Sequence, residues 1–539
     1  MGLIVRFNTT AKPIFLYKFP IFRCCLNKRN YTIINKTSNT LNSSYIIDTN
    51  SNLNRKVFIS IAALSIVTLI GLSLELYLVA LIPFGLLLGI IFLLNIKVGY
   101  YITAFAIPFS ININLKVIHA TLNVPSELFL LFLTIVLLYK FFFWKTPKEL
   151  FTHPLSILIM AYCTLMLISS AFSVQPLISF RIACQTLIYI IPSYFGILYL
   201  SKSNPYLPIK ILLTSLFSFT IVSFISTLKH ARSGFSREMS SGVSIPFYSD
   251  HTIYATMAAF MIPLAFAAAY WHFKQKNMRF IIFILSFALC TISIFSSYSR
   301  AALISVAISF VLFIIIRFKI RWYYIATAIL IAGLIFISMN DDIIMQVKRN
   351  RADSKTKKTT IQAQFKSITN VSNDLSNLER INRWNSAIRM IKDRPFLGFG
   401  YGMYQFEYFP YQKPSEMTYI SIRNPQARYE AGTGGTTHSE FLLLSSENGL
   451  LMGIIYVAIL FLSIYTVIKD VKKMKRSEYF YYMLIGLGMS ITTYAVHSFF
   501  NNFLDTSKIC FIFFGIIAGI CSIDLYLKEN SLLNTKNTL

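Results

Sequence analysis

Long apolar stretches recur along almost the whole of this 539-residue chain. A helix that crosses a bilayer needs roughly 17 to 25 mostly apolar residues, and lipid offers the backbone no hydrogen-bond partners. We find about fourteen such stretches, near 57–74, 76–96, 98–112, 126–143, 153–173, 182–200, 209–228, 250–271, 280–297, 301–317, 322–339, 441–467, 480–499 and 507–528. The sequence therefore predicts an all-α integral membrane protein with about 12–14 transmembrane helices and one large external loop containing short amphipathic helices.

The positive charges between these stretches predict the orientation. The formal net charge is +28, and cytoplasmic loops of membrane proteins are enriched in Lys and Arg. With the basic N-terminus inside, every short basic loop falls in the cytoplasm. The resulting organisation is a basic cytoplasmic tail at 1–56, a transmembrane bundle at 57–339, an external loop at 340–440, further transmembrane helices at 441–528 and a cytoplasmic tail at 529–539. Residues 1–50 lack an apolar core with a cleavage site, which favours a retained tail.

The residue types argue against metal or disulfide chemistry. The seven cysteines include no Cys-x-x-Cys pair, and those in the later chain lie in apolar stretches. The carboxylates predicted to be external are scattered, with no His-x-x-x-His or Asp-x-Asp spacing. We predict no metal and no cofactor.

The loop 340–440 is far longer than a connection requires, which is typical of functional or disordered loops. Within it, apolar residues recur at three- and four-residue steps and predict an amphipathic helix on or near the membrane surface. These positions are Ile381, Trp384, Ile388 and Ile391. Arg380 falls on the side of that helix that carries Trp384, whereas Arg383 points away from that side.

Three features of the predicted external side are candidates for function. Arg300, at the end of an apolar run, is a candidate anion-binding group, although interfacial snorkelling explains such an arginine equally well. Arg181 supports the same argument more weakly. The glycine-rich turn at 394–402 lacks a Gly-Lys-Ser/Thr element, so a close-packed structural turn is favoured over a nucleotide cradle. His438 follows a flexible Gly/Thr segment and is suited to proton transfer, but a lone interfacial histidine is often structural.

Two further groups at predicted outer helix ends are weaker candidates for substrate binding. Asp250 begins the eighth apolar stretch, and His497 ends the thirteenth together with Asn501, Asn502 and Asp505. These side chains either line a polar cavity or act as ordinary helix caps.

Together these motifs resemble the O-antigen ligase and O-antigen polymerase superfamily of bacterial integral-membrane glycosyltransferases, most closely over about 250–450. The matching elements are Ser297–Arg300, Arg380 with Trp384, Pro395–Gly400, and His438 with Leu442, Leu443, Glu447 and Gly449. Three positions depart from the family pattern: Ala301 replaces a glycine, Ser439 stands where asparagine is common, and Met452 interrupts a Gly-Leu-Leu-Gly element.

The resemblance implies an enzyme that transfers a glycan from undecaprenyl pyrophosphate to an acceptor hydroxyl, by preference that of lipid A-core, on the periplasmic face of the bacterial inner membrane. The reaction would be metal-independent and inverting. Arg300 and Arg380 would stabilise the leaving pyrophosphate, and His438 would be the general base; Arg181, Arg383, Asp250 and His497 are further binding candidates.

Three alternatives remain open at this stage. A polymerase of the same superfamily would use another lipid-linked repeat as acceptor, and a protein O-oligosaccharyltransferase would use a Ser or Thr. A transporter of lipid-linked sugars is the alternative from another class, but transporters place polar residues near the midplane, where this chain is apolar. No nucleic-acid partner is predicted.

Overall fold

The computed structural model describes residues 77–115, 120–143, 147–320, 375–418, 421 and 435–536. The chain divides into two units, residues 1–87 and 88–539. Of the first unit, the described part is the beginning of helix α1 (Tyr77–Leu94). The apolar stretches predicted at 57–74 and 322–339, and the basic tail 1–56, lie outside the described residues. All contacts below are within the second unit.

The described part of the second unit is built almost entirely of helices, which confirms the predicted fold class. After α1 come α2 (Ile96–Phe109), α3 (Ser126–Phe143), α4 (Glu149–Thr152), α5 (Pro154–Ala171), α6 (Pro176–Ile190), α7 (Ile197–Ser201), α8 (Leu207–Ala231), α9 (His251–Lys274), α10 (Phe280–Ser296) and α11 (Arg300–Phe318). The later helices are α12 (Leu375–Asp393), α13 (Tyr404–Glu407), α14 (Glu440–Asn448), α15 (Leu450–Val471), α16 (Tyr479–His497) and α17 (Ser507–Lys536). A π-helical turn, Ile191–Gly196, joins α6 to α7, and Phe409–Tyr411 is a 3-10 turn.

Eight helical segments among the described residues are long and apolar enough to cross a membrane. They are α3, α5, the continuous run α6–α7, α8, α9, α11, α15 and α17. Helices α2 and α10 are apolar but shorter. Helix α9 packs against α10 and α16, and α16 packs against α11 and α15. The chain is therefore a multi-pass membrane protein with α9, α16 and α17 at the centre of its described bundle.

Two short strands interrupt the helical pattern. Strands β1 (Ile111–Leu115) and β2 (Ala120–Val124) pair antiparallel, with Ile111 opposite Val124. The hairpin joins α2 to α3, so the apolar stretch predicted at 98–112 ends as a strand rather than a helix. The asparagine side chain of Asn112 donates to Ser249 Oγ at 3.1 Å, which ties the hairpin to the segment before α9.

The prediction of one helix over 441–467 is wrong. Gly449 ends α14 with a φ of 84°, and α15 begins at Leu450. A side-chain β-carbon at Gly449 would lie 1.9 Å from the carbonyl oxygen of Phe396, so only glycine allows this approach. The nine-residue α14 is thereby separated from the span and belongs to the part that carries His438.

The predicted helix over 378–391 is present as α12, and two different sets of residues lie on its exposed and buried faces. Ile381 and Ile388 are exposed, at 36% and 41%. The buried side chains are instead Glu379, Asn382, Arg383, Ser386, Ala387 and Met390. The buried face thus combines polar side chains with Ala387 and Met390, and the periodicity of the isoleucines does not reveal it.

Helix α12 and the segment after it form a small second core, beside the main one. Its buried members are Ala387, Met390, Phe399, Met403, Tyr404, Phe406 and Tyr408. Ile182 of α6 and Leu442 and Leu443 of α14 pack against it. We call the end of the bundle that carries α12, α13 and α14 the loop end.

Candidate functional site

The backbone around His438 is held in an unusual conformation. His438 has a φ of 55°, in the left-handed region that is uncommon for residues other than glycine, although His, Asn and Asp adopt it more often than the rest. Its amide N–H lies 3.3 Å from Thr436 Oγ1, and the amide of Ser439 donates to Thr437 Oγ1 at 3.1 Å. These threonine contacts fold residues 436–439 into a tight turn immediately before α14. The imidazole is thus presented by a turn whose shape is set by its neighbours.

Arg383 holds this turn from the α12 side. Its Nη1 donates to the Thr436 carbonyl at 2.9 Å, and its Nε pairs with Glu379 Oε1 at 3.1 Å. The guanidinium also lies 5.7 Å from the centre of the Tyr408 ring. A β-carbon at Gly435 would lie 2.2 Å from Arg383 Nη1, so the glycine leaves room for the guanidinium. The Arg383 side chain therefore points toward the Thr436–Ser439 turn.

The charges around His438 keep its imidazole neutral at physiological pH. Burial, and then the positive charges of Arg383 and Arg380, lower the pKa of His438 to about 3. Arg383 is the larger of the two electrostatic influences. The structure therefore brings together three residues singled out from the sequence, Arg380, Arg383 and His438, and gives Arg383 the closer relation to the histidine.

His497 forms a second centre that joins three transmembrane helices at the loop end. One of its ring nitrogens, Nε2, lies 2.7 Å from Thr256 Oγ1 of α9 and 3.1 Å from Asn501 Nδ2. The ring also makes a hydrogen-bonding contact with the backbone of Ala301, the second residue of α11, and Arg380 acts on it electrostatically. Because Arg300 is the first residue of α11, His497 fixes the helix start that carries it.

Asn502 closes the connection between the two histidines. Its Oδ1 accepts from Thr436 Oγ1 at 2.7 Å, while the adjacent Asn501 contacts His497. Polar contacts thus join Arg383 to Thr436 and Thr436 to Asn502. The neighbouring Asn501 contacts His497, which in turn contacts the start of α11. His497, Asn501 and Asn502 are buried members of this set of contacts, and their part in substrate binding stays a prediction.

Two buried carboxyl groups of α14 connect this helix to neighbouring segments by hydrogen bonds. Glu440 Oε2 accepts from Tyr494 Oη at 3.1 Å and from the amide of Phe503 at 3.0 Å. Glu447 Oε1 accepts from the amide of Tyr404 at 3.0 Å. Burial raises the pKa of each carboxyl to about 8, and nearby Asp505 contributes to both shifts. Glu440 thereby ties α14 to the turn after α16, and Glu447 ties it to α13.

The glycine-rich turn after α12 is a docking element, as the sequence favoured. Gly400 donates its amide to the Glu447 carbonyl at 2.8 Å, and Ser169 Oγ of α5 donates to the Leu397 carbonyl at 2.8 Å. A β-carbon at Gly398 would lie 2.4 Å from backbone atoms of Glu447. The turn packs α12 and α13 onto α14 and onto the transmembrane bundle.

Two predicted binding residues lie outside this cluster. Arg181 is exposed in the first turns of α6, next to Ile182, which packs on the small second core around α12. Asp250 caps α9, since its Oδ1 accepts from the amide of Thr252 at 2.7 Å. The cap accounts for Asp250 without a ligand.

Some of the site residues were not identified from the sequence. Thr256 and Thr436 carry no distinctive motif, and only the fold brings them beside His497 and Asn502. The i,i+4 spacing of Glu379 and Arg383 was a usable signal for a buried ion pair on α12. Within the described residues, no group of three or more His, Cys, Asp and Glu side chains is placed to hold a metal ion.

Fold and site together define a multi-pass membrane protein with a histidine and two arginines gathered at one end of its bundle. Residues 285–457, about a third of the chain, match the family model described as O-Antigen ligase. The matched segment contains Arg300, α12, the glycine-rich turn and His438. The resemblance to the O-antigen ligase superfamily is thus confirmed, and an enzymatic role of the ligase and polymerase class is supported. A search of curated proteins finds no match.

Proposed function

We propose that this protein is an O-antigen ligase-like glycosyltransferase. It moves a glycan from undecaprenyl pyrophosphate to an acceptor hydroxyl, by preference on lipid A-core, at the periplasmic face of the bacterial inner membrane, with both termini cytoplasmic. The observation that carries the proposal is the convergence of Arg380 and Arg383 on a neutral His438, within the segment that matches the O-Antigen ligase model.

The reaction is a direct displacement at the anomeric carbon. The acceptor oxygen forms the new bond as the bond from the anomeric carbon to the pyrophosphate oxygen breaks, and the leaving oxygen keeps the electron pair. Attack from the opposite face inverts the anomeric configuration. The acceptor proton passes to a nitrogen of His438, a step that contributes roughly 10² to 10⁴-fold in rate for a positioned general base.

The arginines act on the leaving group. Charge-assisted contacts from guanidinium groups stabilise the pyrophosphate as negative charge develops on it. Arg380 and Arg300 have this role, and Arg383 adds to the positive field while it positions the Thr436–Ser439 turn. Since the donor carries its own activated leaving group, the mechanism needs no metal or other cofactor.

The test is transfer by the purified protein in EDTA, with a defined undecaprenyl-pyrophosphate glycan and lipid A-core. Wild type is expected to form product, and His438→Ala is expected to lose activity by roughly 10² to 10⁴-fold. His251→Ala is the matched control, because His251 lies at the same end of the bundle but pairs with Asp250, outside the cluster. It should retain near wild-type rates.

The other outcomes discriminate among the alternatives. Donor lengthened into multi-repeat chains would identify a polymerase, and transfer to a Ser- or Thr-containing protein would identify a protein O-oligosaccharyltransferase. Unconsumed donor under all conditions would favour the transporter. A fully active His438→Ala variant would exclude the assigned base.

A further inference from the structure

The end of the bundle opposite the loop end contains a small cleft of about 60 Å³. It is lined by Phe266, Ala267, Tyr270, Lys274, Phe313, Arg317, Arg476, Tyr481, Tyr482 and Ile485. Three of these ten residues are basic, none is acidic, and the rest are aromatic or apolar apart from the tyrosine hydroxyls. The cleft lies where α9, α11 and α16 meet.

The cleft is remote from the histidine site although the same helices build both. Helix α9 begins at His251 and ends at Lys274, and α11 begins at Arg300 and carries Arg317 in its last turn. The rise of 1.5 Å per helical residue separates Arg300 from Arg317 by about 26 Å. A ligand in the cleft is therefore distinct from the proposed glycan donor.

The three cations are held together without a carboxylate. Lys274 Nζ donates to Tyr482 Oη at 2.9 Å, and it lies 3.4 Å from the Arg476 carbonyl. Arg476 Nη2 donates to the Arg317 carbonyl at 3.2 Å. In the part of the chain that the structure describes, none of the three forms a salt bridge. Three like charges gathered in this way favour an anion between them.

The remaining lining indicates what kind of anion fits. Phe266 and Phe313 come from helices long and apolar enough to span the membrane, and Ile485 comes from α16, which packs against both of these helices. A phosphate group bound by the cations at the helix ends would place attached acyl chains along this apolar wall. Basic pockets between transmembrane helices are known to bind anionic lipid headgroups, and guanidinium groups match phosphate geometry.

We propose that this cleft binds the phosphate headgroup of an anionic membrane phospholipid through Lys274, Arg317 and Arg476. The wall formed by Phe266, Phe313 and Ile485 receives the proximal acyl chain. By the predicted orientation this end faces the cytoplasm, so the lipid belongs to the inner leaflet. The proposal does not depend on the glycosyltransferase assignment.

The test is lipid titration into the purified full-length protein in detergent, with bound lipid measured by native mass spectrometry. Phosphatidylglycerol is the anionic probe and phosphatidylcholine the neutral one, and glycerol phosphate represents a free soluble phosphate. Wild type should bind phosphatidylglycerol about tenfold or more tightly than phosphatidylcholine. Combined Lys274→Gln, Arg317→Gln and Arg476→Gln substitutions should abolish that preference.

A matched variant controls for the loss of charge. Lys210→Gln, Arg279→Gln and Lys472→Gln remove the same number of exposed charges at the same end of the bundle, outside the cleft. This variant should keep the lipid preference. If the triple cleft variant does not fold, the single variant Arg317→Gln takes its place. Its affinity for phosphatidylglycerol should be about fivefold weaker than that of wild type.

Three results would overturn the proposal. Equal affinity for the two lipids would show that the cleft does not select charge. An equal loss of preference in the control variant would show a diffuse surface effect. Glycerol phosphate binding as tightly as phosphatidylglycerol would identify a soluble phosphate ligand instead of a lipid.

Discussion

His438 combines a strained backbone with an electrostatically unusual side chain. A left-handed φ at such a residue costs on the order of 1–3 kcal/mol, which the surrounding structure must offset. The hydrogen bonds of Thr436 and Thr437 and the clamp from Arg383 provide that support. Strain of this kind concentrates at functional sites, and here it sets the position of a ring on which Arg380 and Arg383 act electrostatically.

The pKa of His438 leads to a prediction about pH. Since the pKa in the unliganded protein is about 3, the imidazole is neutral from pH 5 to 8, and kcat/KM should show no acid limb near pH 6.5 from this residue. Bound pyrophosphate offsets the charges of Arg380 and Arg383, so the acid limb of kcat should lie at higher pH than that of kcat/KM. Initial rates from pH 5 to 8 test whether kcat/KM is flat over this range and whether the acid limb of kcat enters it.

Protein stability across the same pH range is the control. The raised pKa values of Glu440 and Glu447, about 8, mean that the folded protein favours their protonated forms. This contribution to stability is fully present below the unfolded pKa near 4.5 and is lost as pH rises through about 8. These two carboxyl groups should therefore not destabilise the protein as the pH is lowered to 5. A kcat/KM that nevertheless decreases as the pH is lowered through 6.5 would contradict the assigned charge state of His438.

Helix α12 shows which structural features the sequence predicts and which it does not. The helix follows from the spacing of Ile381, Trp384 and Ile388, whereas the polar residues on its buried face do not follow from that spacing. The buried face depends on partners distant in the chain, such as Thr436 for Arg383. Likewise Arg300 and His438 stand out by residue type, whereas their connection through His497 requires the packing of α9, α11 and α16.

The junction of α14 and α15 gives a prediction at the level of one element. Gly449→Ala would force a side chain into a positive φ and against the Phe396 carbonyl, and would break the docking of the glycine-rich turn. We expect transfer activity to fall by at least about tenfold and limited proteolysis to cleave near the turn, since Ala is strained at such a position.

Gly89→Ala is the matched control for this substitution. Its nearest neighbour would be an atom of the Phe132 ring at 3.9 Å, an ordinary contact distance. This variant should behave as wild type. A Gly449→Ala protein with full activity and unchanged proteolysis would mean that the junction tolerates movement without consequence for the site.

At the scale of the whole molecule, a buried carboxylate connects helices at the end of the bundle opposite the loop end. Asp524 of α17 is 1% exposed and contacts His153 Nε2 at 3.1 Å, Lys469 Nζ at 2.6 Å and Lys528 Nζ at 2.7 Å. His153 caps α5, and Lys469 lies in the last turn of α15. One carboxylate therefore joins three helices far from the loop end.

Loss of that carboxylate should destabilise the bundle. Asp524→Asn removes the charge shared by His153, Lys469 and Lys528, while Asp470 still pairs with Lys469. The expected loss is about 1.5–3 kcal/mol, the usual contribution of a hydrogen bond to a charged group. A lower Tm in detergent, at unchanged lipid content, is the expected measurement. Glu529→Gln removes a half-exposed carboxylate that pairs with Lys202 at 2.6 Å, and should change stability by less than about 1 kcal/mol. Similar Tm values for the two variants would contradict the role of Asp524.

The placement of His438 between two arginines also bears on how the enzyme would return to its starting state. In the proposed reaction the imidazole ends the chemical step carrying the acceptor's proton, next to a pyrophosphate that balances the guanidinium charges. Departure of the lipid pyrophosphate removes that balance, and Arg380 and Arg383 then repel the imidazolium. The proton is expelled to water without a separate acceptor, so release of the spent carrier itself regenerates the base for the next turnover.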